Sequence, residues 1–528
     1  MSGAPVTLFG PDGRPAPRAS VPRAPSASYG RHVRRKAASS VGTLVTWTLH
    51  YVSARLAEYE RRKGADRAMD LYVNSSLAHG ILEGLVTDVV GTGLTPQPQP
   101  MADWLGFDAA WQEQWTRDVY AWFEIVGLDC RRWADAQRRA TIYGLQALAA
   151  FLWRLEGASF FQVVSRPVPG SPVSTRLLPI CPSRVRTPSD LGEDERVFDG
   201  VEVDELGAPR RIWVAPAAGS SYLQTFSSGD MQPLDVWDEA TGLPKVLIVT
   251  RVRNIAEYRE DGILTAILKD IRDGEDLREA ASIKALISNT FALFVAEEGP
   301  GFPGLDGGEP SNQVLSWADR VQELERGMII QGQPHQKPTE IKTDAPGPNY
   351  EIMVKDIHTG LGISTGRGRE NLIREYTSSY SASQASMENE AKWSDQDRLT
   401  LADTFCQPWW MWTQLEGVLR GHLPARSVED FRRELYAYTR TAWLRPPVRH
   451  IDKFKIAKAD ETRLGNRTTT LSKIYAEMGE DWRTAVTQSL TEEAFVRRER
   501  KRLKLPDPDL VEALKKAAGR LEDDDGEE

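Results

Sequence analysis

The sequence predicts an α+β protein that is mostly helical and contains one β-rich insert. Apolar residues recur at helical spacing over about 70–90, 141–155 and 263–294, which is typical of helices with one buried face. Over 160–253 the pattern changes to short β-branched runs separated by proline and glycine turns. A chain of 528 residues also exceeds one ordinary hydrophobic core. We therefore expect roughly two to four structural regions, with the β-rich part set between helical ones.

The N-terminal part contains a polar arm followed by helices. Residues 1–40 are rich in proline, alanine and serine and bury little apolar surface, which predicts a flexible arm. Residues 41–159 are predicted to be helical, and their clearest helix covers 70–90. We expect that helix to stop at Gly91 and Gly93, because glycine readily adopts the left-handed conformation that ends helices.

The middle of the chain is predicted to be a β-rich region followed by a long helix. Residues 160–260 form the β-rich region, and its predicted strands are 161–164, 201–203, 212–214 and 246–249. Residues 261–295 are predicted to form one helix with an apolar face and a charged face of mixed sign. Gly274 is expected to bend or break it. The cations of the charged face are Lys269, Arg272, Arg278 and Lys284.

The C-terminal half is predicted to return from loops to helices. Residues 296–357 are expected to be loops with short strands at 328–330 and 350–353. Residues 358–385 are expected to contain a flexible glycine-rich loop. The remaining predictions are helices over 386–504, with a dense aromatic group at 409–412, and an acidic tail over 505–528.

Bulk properties exclude several classes of protein. The net charge of −9 argues against a protein that coats nucleic acid through general basicity. Cys130, Cys181 and Cys406 lie far apart, so neither a zinc site nor a disulfide framework is indicated, and we expect no metal and no cofactor. The N-terminus lacks the apolar region of a signal peptide, and no apolar run approaches the roughly 20 residues of a membrane helix.

Chemical motifs give one alternative interpretation. No G-x-x-x-x-G-K-[ST] string exists, so a nucleotide-hydrolysing motor is not indicated. The string 362–366 matches the G-x-S-x-G nucleophile elbow, which places Ser364 as the candidate nucleophile of a serine hydrolase. His422 and His450 lie downstream and could complete a triad. We favour a flexible loop here, because no buried strand precedes the motif and five-residue matches arise by chance.

Five strings follow one another in order along about 60–485. The first covers 67–74 and the helix end at 88–94, the second 143–157, and the third runs from 264 to 281. The fourth covers 357–364 and 380–383, and the fifth runs from 443 to 482. Together these strings resemble the lambda-type portal proteins of tailed phages. The residues that match the motifs of that family are Asn74, Gly91, Gly93, Gln146, Gly157, Gly360, Gly362, Trp443, Asp452, Gly479 and Trp482.

The resemblance has two departures and one consequence. Ala158 stands where the family has a glutamate, and Lys453 stands where it has a proline. The G-x-S-x-G string falls inside a loop motif of the family, which removes the support for a hydrolase. The resemblance therefore implies a structural protein and no enzyme. Another ring-forming head–tail connector stays an alternative, although such proteins lack the long order of regions found here.

The family forms a ring, commonly of about twelve subunits, at one vertex of the capsid. Each subunit has a wing, a stem of tilted helices, a β-containing clip, a tunnel loop and a helical crown. The resemblance implies that 41–159 belongs to the wing, 160–260 contains the clip, 261–295 is a stem helix and 296–357 returns to the wing. It also implies that 358–385 contains the tunnel loop and that 386–504 forms wing and crown.

The resemblance also implies partners and DNA contacts. Expected partners are other copies of the chain, double-stranded DNA in the channel, the large terminase subunit, the major capsid and scaffold proteins, and head–tail connector proteins, with no membrane. The expected location is the virion, after a stage in the host cytoplasm. Arg367, Arg369 and Arg374 lie beside the glycine-rich segment and are our candidates for side chains that face DNA.

Overall fold

The structure is a computed structural model that describes residues 54–191, 196–216, 224–253, 257–290, 293–295, 329–331, 348–377, 379–446 and 453–505. The predicted arm, Asp452, and residues 506–528 of the predicted tail lie outside the described residues. Two compact units divide the chain. Within the described ranges, the large unit comprises residues 54–65, 82–262 and 394–505, and the small unit comprises residues 66–81 and 263–393. The predicted α+β class with mostly helical content is confirmed.

The N-terminal helical region begins with two helices where we predicted one. They are α1, Ala54–Asn74, and α2, Ser76–Val89. The prediction of one helix over 70–90 is wrong, because the Ser75 hydroxyl accepts a hydrogen bond from the amide of Ala78 at 3.3 Å. That contact is typical of a residue that caps the start of a new helix. The predicted stop is confirmed, since Gly91 and Gly93 both have positive φ.

The aromatic core of the large unit is built on helices that flank a short sheet. The first of these elements are β1 (Thr95–Pro98), α3 (Ala102–Leu105), α4 (Ala109–Phe123) and α5 (Ile142–Glu156). The predicted helix over 141–155 is thus confirmed. Trp115 and Phe123 from α4 and Trp153 from α5 are each about 1% exposed, which is typical of a packed aromatic core.

The β-rich region of the large unit contains two antiparallel sheets. One has the strand order β3-β2-β8, and the other the order β4-β5-β6-β7. All four predicted strands are confirmed, at 161–164, 201–203, 212–214 and 246–249. The bounds are β2, Ser159–Ser165; β3, Thr175–Ile180; β4, Val197–Phe198; β5, Val201–Val203; β6, Pro209–Val214; β7, Gln232–Asp235; and β8, Val246–Val249.

The small unit contains the predicted long helix, but that helix ends at Thr290, and 293–295 form a strand instead of the predicted helix end. Its elements are α6 (Leu268–Thr290), β9 (Leu293–Val295), β10 (Ile329–Gln331), α7 (Pro348–Thr365), α8 (Arg369–Ile373) and most of α9 (Tyr380–Leu401). Gly274 does not break α6, and its position lies beside Ile357 of α7, 3.6 Å from where a Cβ would stand. One glycine weakens a helix by only about 1 kcal/mol, which packing readily offsets.

The predicted strand at 350–353 and the predicted loop at 358–365 are both helix α7. The inward side chains Val354, Ile357, Leu361 and Thr365 follow helical spacing, and Leu361 and Thr365 are buried. The helical pattern covers more residues than the four-residue run that suggested a strand. The predicted strand at 328–330 is confirmed as β10, which pairs with β9 in parallel.

The C-terminal elements of the large unit complete its core. They are α10 (Gln407–Leu419), α11 (Val428–Arg433), α12 (Leu435–Thr439), β11 (Thr441–Leu444), α13 (Lys453–Gly465), α14 (Leu471–Glu477) and α15 (Trp482–Arg502). Trp409 and Trp410 are fully buried, so this aromatic group is core. Trp412 is half-buried, and its indole N–H donates to the carbonyl of Pro244 at 2.8 Å.

Candidate functional site

The turn after α2 accepts glycine alone. Gly91 has a φ of +53° and Gly93 a φ of +125°. A Cβ on Gly93 would lie 2.1 Å from Cδ1 of the Tyr143 ring, so a larger residue would displace α5. Both glycines are therefore required by backbone conformation and by close packing.

Gln146 of α5 fixes the chain that leaves this turn. Its side chain is fully buried, its Oε1 accepts from the amide of Leu94 at 2.8 Å, and its Nε2 donates to the Leu94 carbonyl at 3.1 Å. One side-chain amide thus satisfies both polar groups of a buried peptide unit. The buried thiol of Cys406 lies 3.5 Å from the same Nε2, and burial raises the pKa of that thiol.

The segments that follow the first string and begin the fifth string contact each other through strands β1 and β11. These strands pair antiparallel, with Pro96 opposite Trp443. The Trp443 indole donates to Oε1 of Gln407 at 3.3 Å, and its ring lies 6.3 Å edge-on from Trp410. The structure therefore brings Gly93, Gln146 and Trp443 into one structural cluster.

The end of the fifth string is anchored by Asp481, which belongs to that string. Asp481 is buried, accepts from Nε2 of Gln97 at 3.1 Å, and caps α15 by accepting from the amide of Thr484 at 3.2 Å. An Asp directly before an amphipathic run is a recognisable helix start. Gly479 has a φ of +73°, and Trp482 is half-buried at the first position of α15.

Gly157 lies where the chain enters and leaves the β-rich region. Its φ is +82°, and a Cβ there would stand 1.7 Å from the carbonyl oxygen of Glu260. A Cβ on Gly262 would stand 1.9 Å from the carbonyl oxygen of Leu155. The amide of Glu260 donates to the Gly157 carbonyl at 3.3 Å. The two connecting segments, which we call the neck (154–157 and 259–262), therefore touch backbone to backbone.

Several buried charged side chains lie in the neck and next to it. Arg154 and Arg251 both form ion pairs with Oδ1 of Asp397, and all three side chains are largely buried. Glu260 accepts from the indole N–H of Trp153 and lies 3.8 Å from Nη1 of Arg154. Burial lowers the pKa of Arg154 to about 10 and raises that of Glu260. These ions depend on each other, because an unpaired charge at such depth is strongly unfavourable.

A second buried network of charged side chains is centred on Asp199. Its Oδ1 accepts from Nη2 of Arg61 at 2.8 Å, and its Oδ2 lies 3.7 Å from Nε of Arg259. Arg259 also donates to the carbonyl of Val185 at 2.9 Å. Although burial opposes it, the charges of Arg61 and Arg259 hold the pKa of Asp199 below its ordinary value. This network joins α1 to the β-rich region within the large unit.

In the small unit, glycines shape the turn between α7 and α8. A Cβ on Gly362 would stand 2.6 Å from the Arg367 carbonyl, and one on Gly366, whose φ is +73°, would stand 2.4 Å from the Trp393 ring. Glu390 of α9 accepts from the amide of Gly368. Gly360, by contrast, has open space around its Cα. The turn packs against α9, and Glu390 and Trp393 were not selected from the sequence.

The three candidate DNA-facing arginines differ in exposure. Arg367 and Arg369 are half-buried, whereas Arg374 is exposed at the end of α8 with a φ of +56°. Burial and the charge of Arg369 lower the pKa of His358. Of the three, Arg374 best fits a contact with an external anion.

The cationic residues predicted on the long helix are all on its surface. Lys269, Arg272, Arg278 and Lys284 are exposed on α6. Arg272 pairs with Asp276 at 3.3 Å, and Lys269 lies 4.0 Å from Asp273. Asn74, the first motif residue, closes the end of α1 by donating to the Asp70 carbonyl at 3.0 Å.

The nucleophile elbow is contradicted by the geometry. Ser364 is exposed within α7, whereas the elbow requires a strained turn from a strand into a helix. His422 stacks on Trp122 at 5.2 Å, and His450 lies outside the described residues. Over the described ranges, no group of three metal-binding side chains occurs, and no helix is long and apolar enough to cross a membrane.

Gly91, Gly93, Gln146, Gly157 and Trp443 thus fix backbone turns and close packing within the large unit. The family model of the phage portal proteins of the lambda family matches residues 44–398, and the chain belongs to that family. The portal protein of Escherichia phage N15 is 20% identical over 462 residues, which cover 83% of this chain and 85% of that protein. The family is structural and not enzymatic.

Two solved structures also match this chain over most of its length. One is the virion of a native gene transfer agent particle, with a TM-score of 0.34, 9% identity, and coverage of 79% of this chain and 93% of that one. The other is the neck of an empty gene transfer agent particle, with a TM-score of 0.35, 12% identity, and coverage of 76% and 88%. Family membership depends on the sequence match.

Proposed function

We propose that this chain assembles with copies of itself into a ring, commonly of about twelve subunits, at one capsid vertex. Double-stranded DNA passes through the ring during packaging and ejection. The observation that carries the proposal is the match to the lambda-family portal proteins over 44–398. The ring acts as a channel and a docking site and performs no reaction.

Exposed apolar side chains of the small unit support self-assembly. Val73 is 71% exposed, Ile352 65% and Ile363 74%. Large apolar side chains that are exposed in the single chain are candidates for burial in a contact between copies. In a ring, each subunit presents two different faces to its two neighbours, so such side chains become buried between copies.

The charge pattern of α6 supports passage without tight binding. Cations and carboxylates alternate along its exposed surface, as in the pair of Arg272 and Asp276. A purely basic wall would bind DNA phosphates tightly and with strong salt dependence. A mixed wall with few contacts lets DNA move, and Arg367, Arg369 and Arg374 at 358–385 are our candidates for those contacts.

The proposal includes partners and location. The large terminase subunit, the major capsid and scaffold proteins, and head–tail connector proteins dock on the ring. The chain resides in the virion, after a stage in the host cytoplasm. In domain terms, 41–159 and 296–357 contribute to the wing, 160–260 contains the clip, 261–295 is a stem helix, and 386–504 forms wing and crown.

Mass photometry and negative-stain imaging of the purified chain test the ring. The expected result is a closed ring whose mass is a multiple of 59.0 kDa. Ile363→Glu should reduce the ring fraction, because it places a charge in the interface, whereas Leu419→Glu, an equally large exposed position on α10, should not. Monomers at micromolar concentration under all conditions would overturn the proposal.

Trapping of DNA tests the channel. A linear duplex is mixed with rings, its two ends are then blocked with streptavidin, and the salt is raised to about 1 M, where electrostatic contacts are screened. A threaded duplex stays on the ring, and a duplex blocked before mixing does not. Equal release of the two duplexes would contradict passage of DNA through the ring.

A further inference from the structure

A group of arginines surrounds Trp133 in the large unit. We call this set the arginine cluster. The guanidinium carbons of Arg131, Arg138 and Arg176 lie 4.9, 5.2 and 5.4 Å from the centre of the Trp133 ring. Neither the motif strings nor the proposed channel uses these residues. The cluster consists of Arg131, Arg132, Arg138, Arg139, Arg166 and Arg176.

The fold holds this cluster in a fixed shape. Asp135 is buried and accepts from the amides of Gln137 at 2.8 Å, Arg139 at 2.7 Å and Ala140 at 3.0 Å. The flanking peptide units pair with Leu177 of β3, whose amide donates to the Ala134 carbonyl at 2.8 Å. The carboxylate of Asp135 therefore stabilises the loop and is not available to the arginines as a bidentate partner.

The arginine side chains donate hydrogen bonds to main-chain carbonyls, including the carbonyls of other arginines in the cluster. Arg138 donates from Nε to the carbonyl of Arg131 at 3.2 Å, and Arg132 donates from Nη1 to the carbonyl of Arg138 at 3.3 Å. Arg166 donates to the carbonyl of Ala136 at 3.2 Å. Carbonyls orient a guanidinium group but do not neutralise it, so the charges remain.

In the part of the chain that the structure describes, Arg131 is the only arginine of the cluster whose guanidinium group lies close to a carboxylate. Its Nε and Nη2 pair with Asp129. Among the described residues, no salt bridge within 4.0 Å joins a carboxylate to the other five arginines of the cluster. Positive charge is thus concentrated locally in a chain whose net charge is −9.

Arg176 adds a charge inside the protein. It is fully buried and donates from Nη1 to the Trp133 carbonyl at 2.9 Å and from Nε to the Arg166 carbonyl at 3.0 Å. Burial and the charges of Arg138 and Arg166 lower its pKa. Like charges held this close repel one another, and a bound anion removes that repulsion.

The loop conformation is also unusual. Arg132 and Arg138 have φ values of +59° and +55°, in the left-handed region that side chains other than glycine rarely adopt. Such conformations persist where the surrounding structure enforces them, and they concentrate at functional sites. The side chains of Arg132, Arg138 and Arg139 are all exposed on this loop.

We propose that the arginine cluster binds the backbone phosphates of double-stranded DNA. The proposal rests on the proposed function, which brings the chain to DNA, and adds a contact outside the candidate channel segment 358–385. Guanidinium groups bind phosphate oxygens through two parallel hydrogen bonds. A duplex offers regularly spaced charges on a rigid rod, which suits several arginines fixed by one loop better than a flexible acidic peptide does.

The test uses the full-length chain and a covalently closed DNA minicircle, which cannot thread through a preformed ring. Binding is measured by gel shift between about 50 and about 200 mM NaCl. The variant Arg132→Gln/Arg139→Gln/Arg166→Gln removes three exposed charges. We expect affinity to fall about tenfold at the lower salt, and the salt dependence to weaken by about 0.9 in logarithmic slope for each lost phosphate contact.

Two further variants make the result specific. The corresponding triple lysine variant keeps the charges and should retain most of the binding. Arg498→Gln/Lys501→Gln/Lys504→Gln removes three exposed cations from the α15 region and should leave minicircle binding unchanged. Rings and melting temperatures of all variants are compared by negative stain and calorimetry, so that a folding defect is recognised.

Three outcomes would overturn the proposal. They are unchanged binding in the glutamine variant, an equal loss in the α15 variant, and displacement of the minicircle by poly-glutamate at lower charge concentration than by competitor DNA. Rings that form and trap linear DNA while minicircle binding is unaffected would refute the arginine cluster and leave the channel intact.

Discussion

Gly157→Ala is the substitution whose effect follows most directly from the structure. The alanine Cβ would stand 1.7 Å from the Glu260 carbonyl oxygen, whereas such contacts settle at about 3.3 Å. The two segments of the neck must separate by about 1.6 Å. That shift breaks the hydrogen bond from the Glu260 amide to the Gly157 carbonyl and disturbs the buried pairing of the Glu260 side chain.

The magnitude has three parts. An alanine at a φ of +82° is less stable than glycine by about 1 kcal/mol. A lost hydrogen bond removes about 1 kcal/mol, and a disturbed buried ion network removes about 3 kcal/mol. The expected loss in the free energy of unfolding is thus about 5 kcal/mol. For the large unit, with about 285 described residues unfolding together at about 2.1 cal/mol/K per residue, each kcal/mol lowers the Tm by about 1.7 °C.

Two control variants separate the causes. Gly170 has a φ of +77° and open space around it, so Gly170→Ala shows the backbone penalty alone, about 1.7 °C. Gly262 lacks a positive φ but faces the Leu155 carbonyl at 1.9 Å, so Gly262→Ala shows the clash alone. Scanning calorimetry measures all three. A Gly157→Ala protein that melts within about 1 °C of Gly170→Ala would refute the close contact at the neck.

Three further variants test the buried charges and a helix. Asp397→Asn removes the buried anion that Arg154 and Arg251 share and should lower stability by about 3 kcal/mol, measured by calorimetry; an unchanged Tm would contradict the network. The stability from Asp199 is present above its ordinary pKa and lost as pH falls through its depressed folded value, so the difference in Tm between wild type and Asp199→Asn should shrink below about pH 4; a constant difference would exclude the pairing with Arg61. Gly80→Ala, in open space on α2, should raise stability by about 0.5–1 kcal/mol, and a decrease would mean that the position is packed.

The long regular elements were predictable from the sequence. The helix at 141–155, the four strands of the β-rich region and the stop at Gly91 follow from apolar period and glycine, which act within a few residues. Patterns that cover only a few residues gave wrong predictions of secondary structure. The run 350–353 alternates like a strand, yet it lies in α7, because the longer inward period through Leu361 decides the element.

Individual residues of the candidate site were predictable from the sequence, but the contacts between them were not. The strings named Gln146, Gly157 and Trp443, but not that Gln146 holds the peptide of Leu94 or that Gly157 touches Glu260. Asp481 belonged to the fifth string and precedes a helix start, but its contact with Gln97 was not predicted. Asp397 had none, since a carboxylate on a helix is usually exposed to solvent.

The sequence by itself determined that this chain is a mostly helical α+β protein of the lambda portal family, because residue period and motif order are written along the chain. Only the tertiary structure decided which charges pair, that two glycines let the neck close, and that Ser364 lies on a helix. It also decided that arginines distant in sequence, such as Arg138 and Arg176, share one tryptophan. Such contacts depend on packing between segments far apart in the chain, and local patterns do not contain that information.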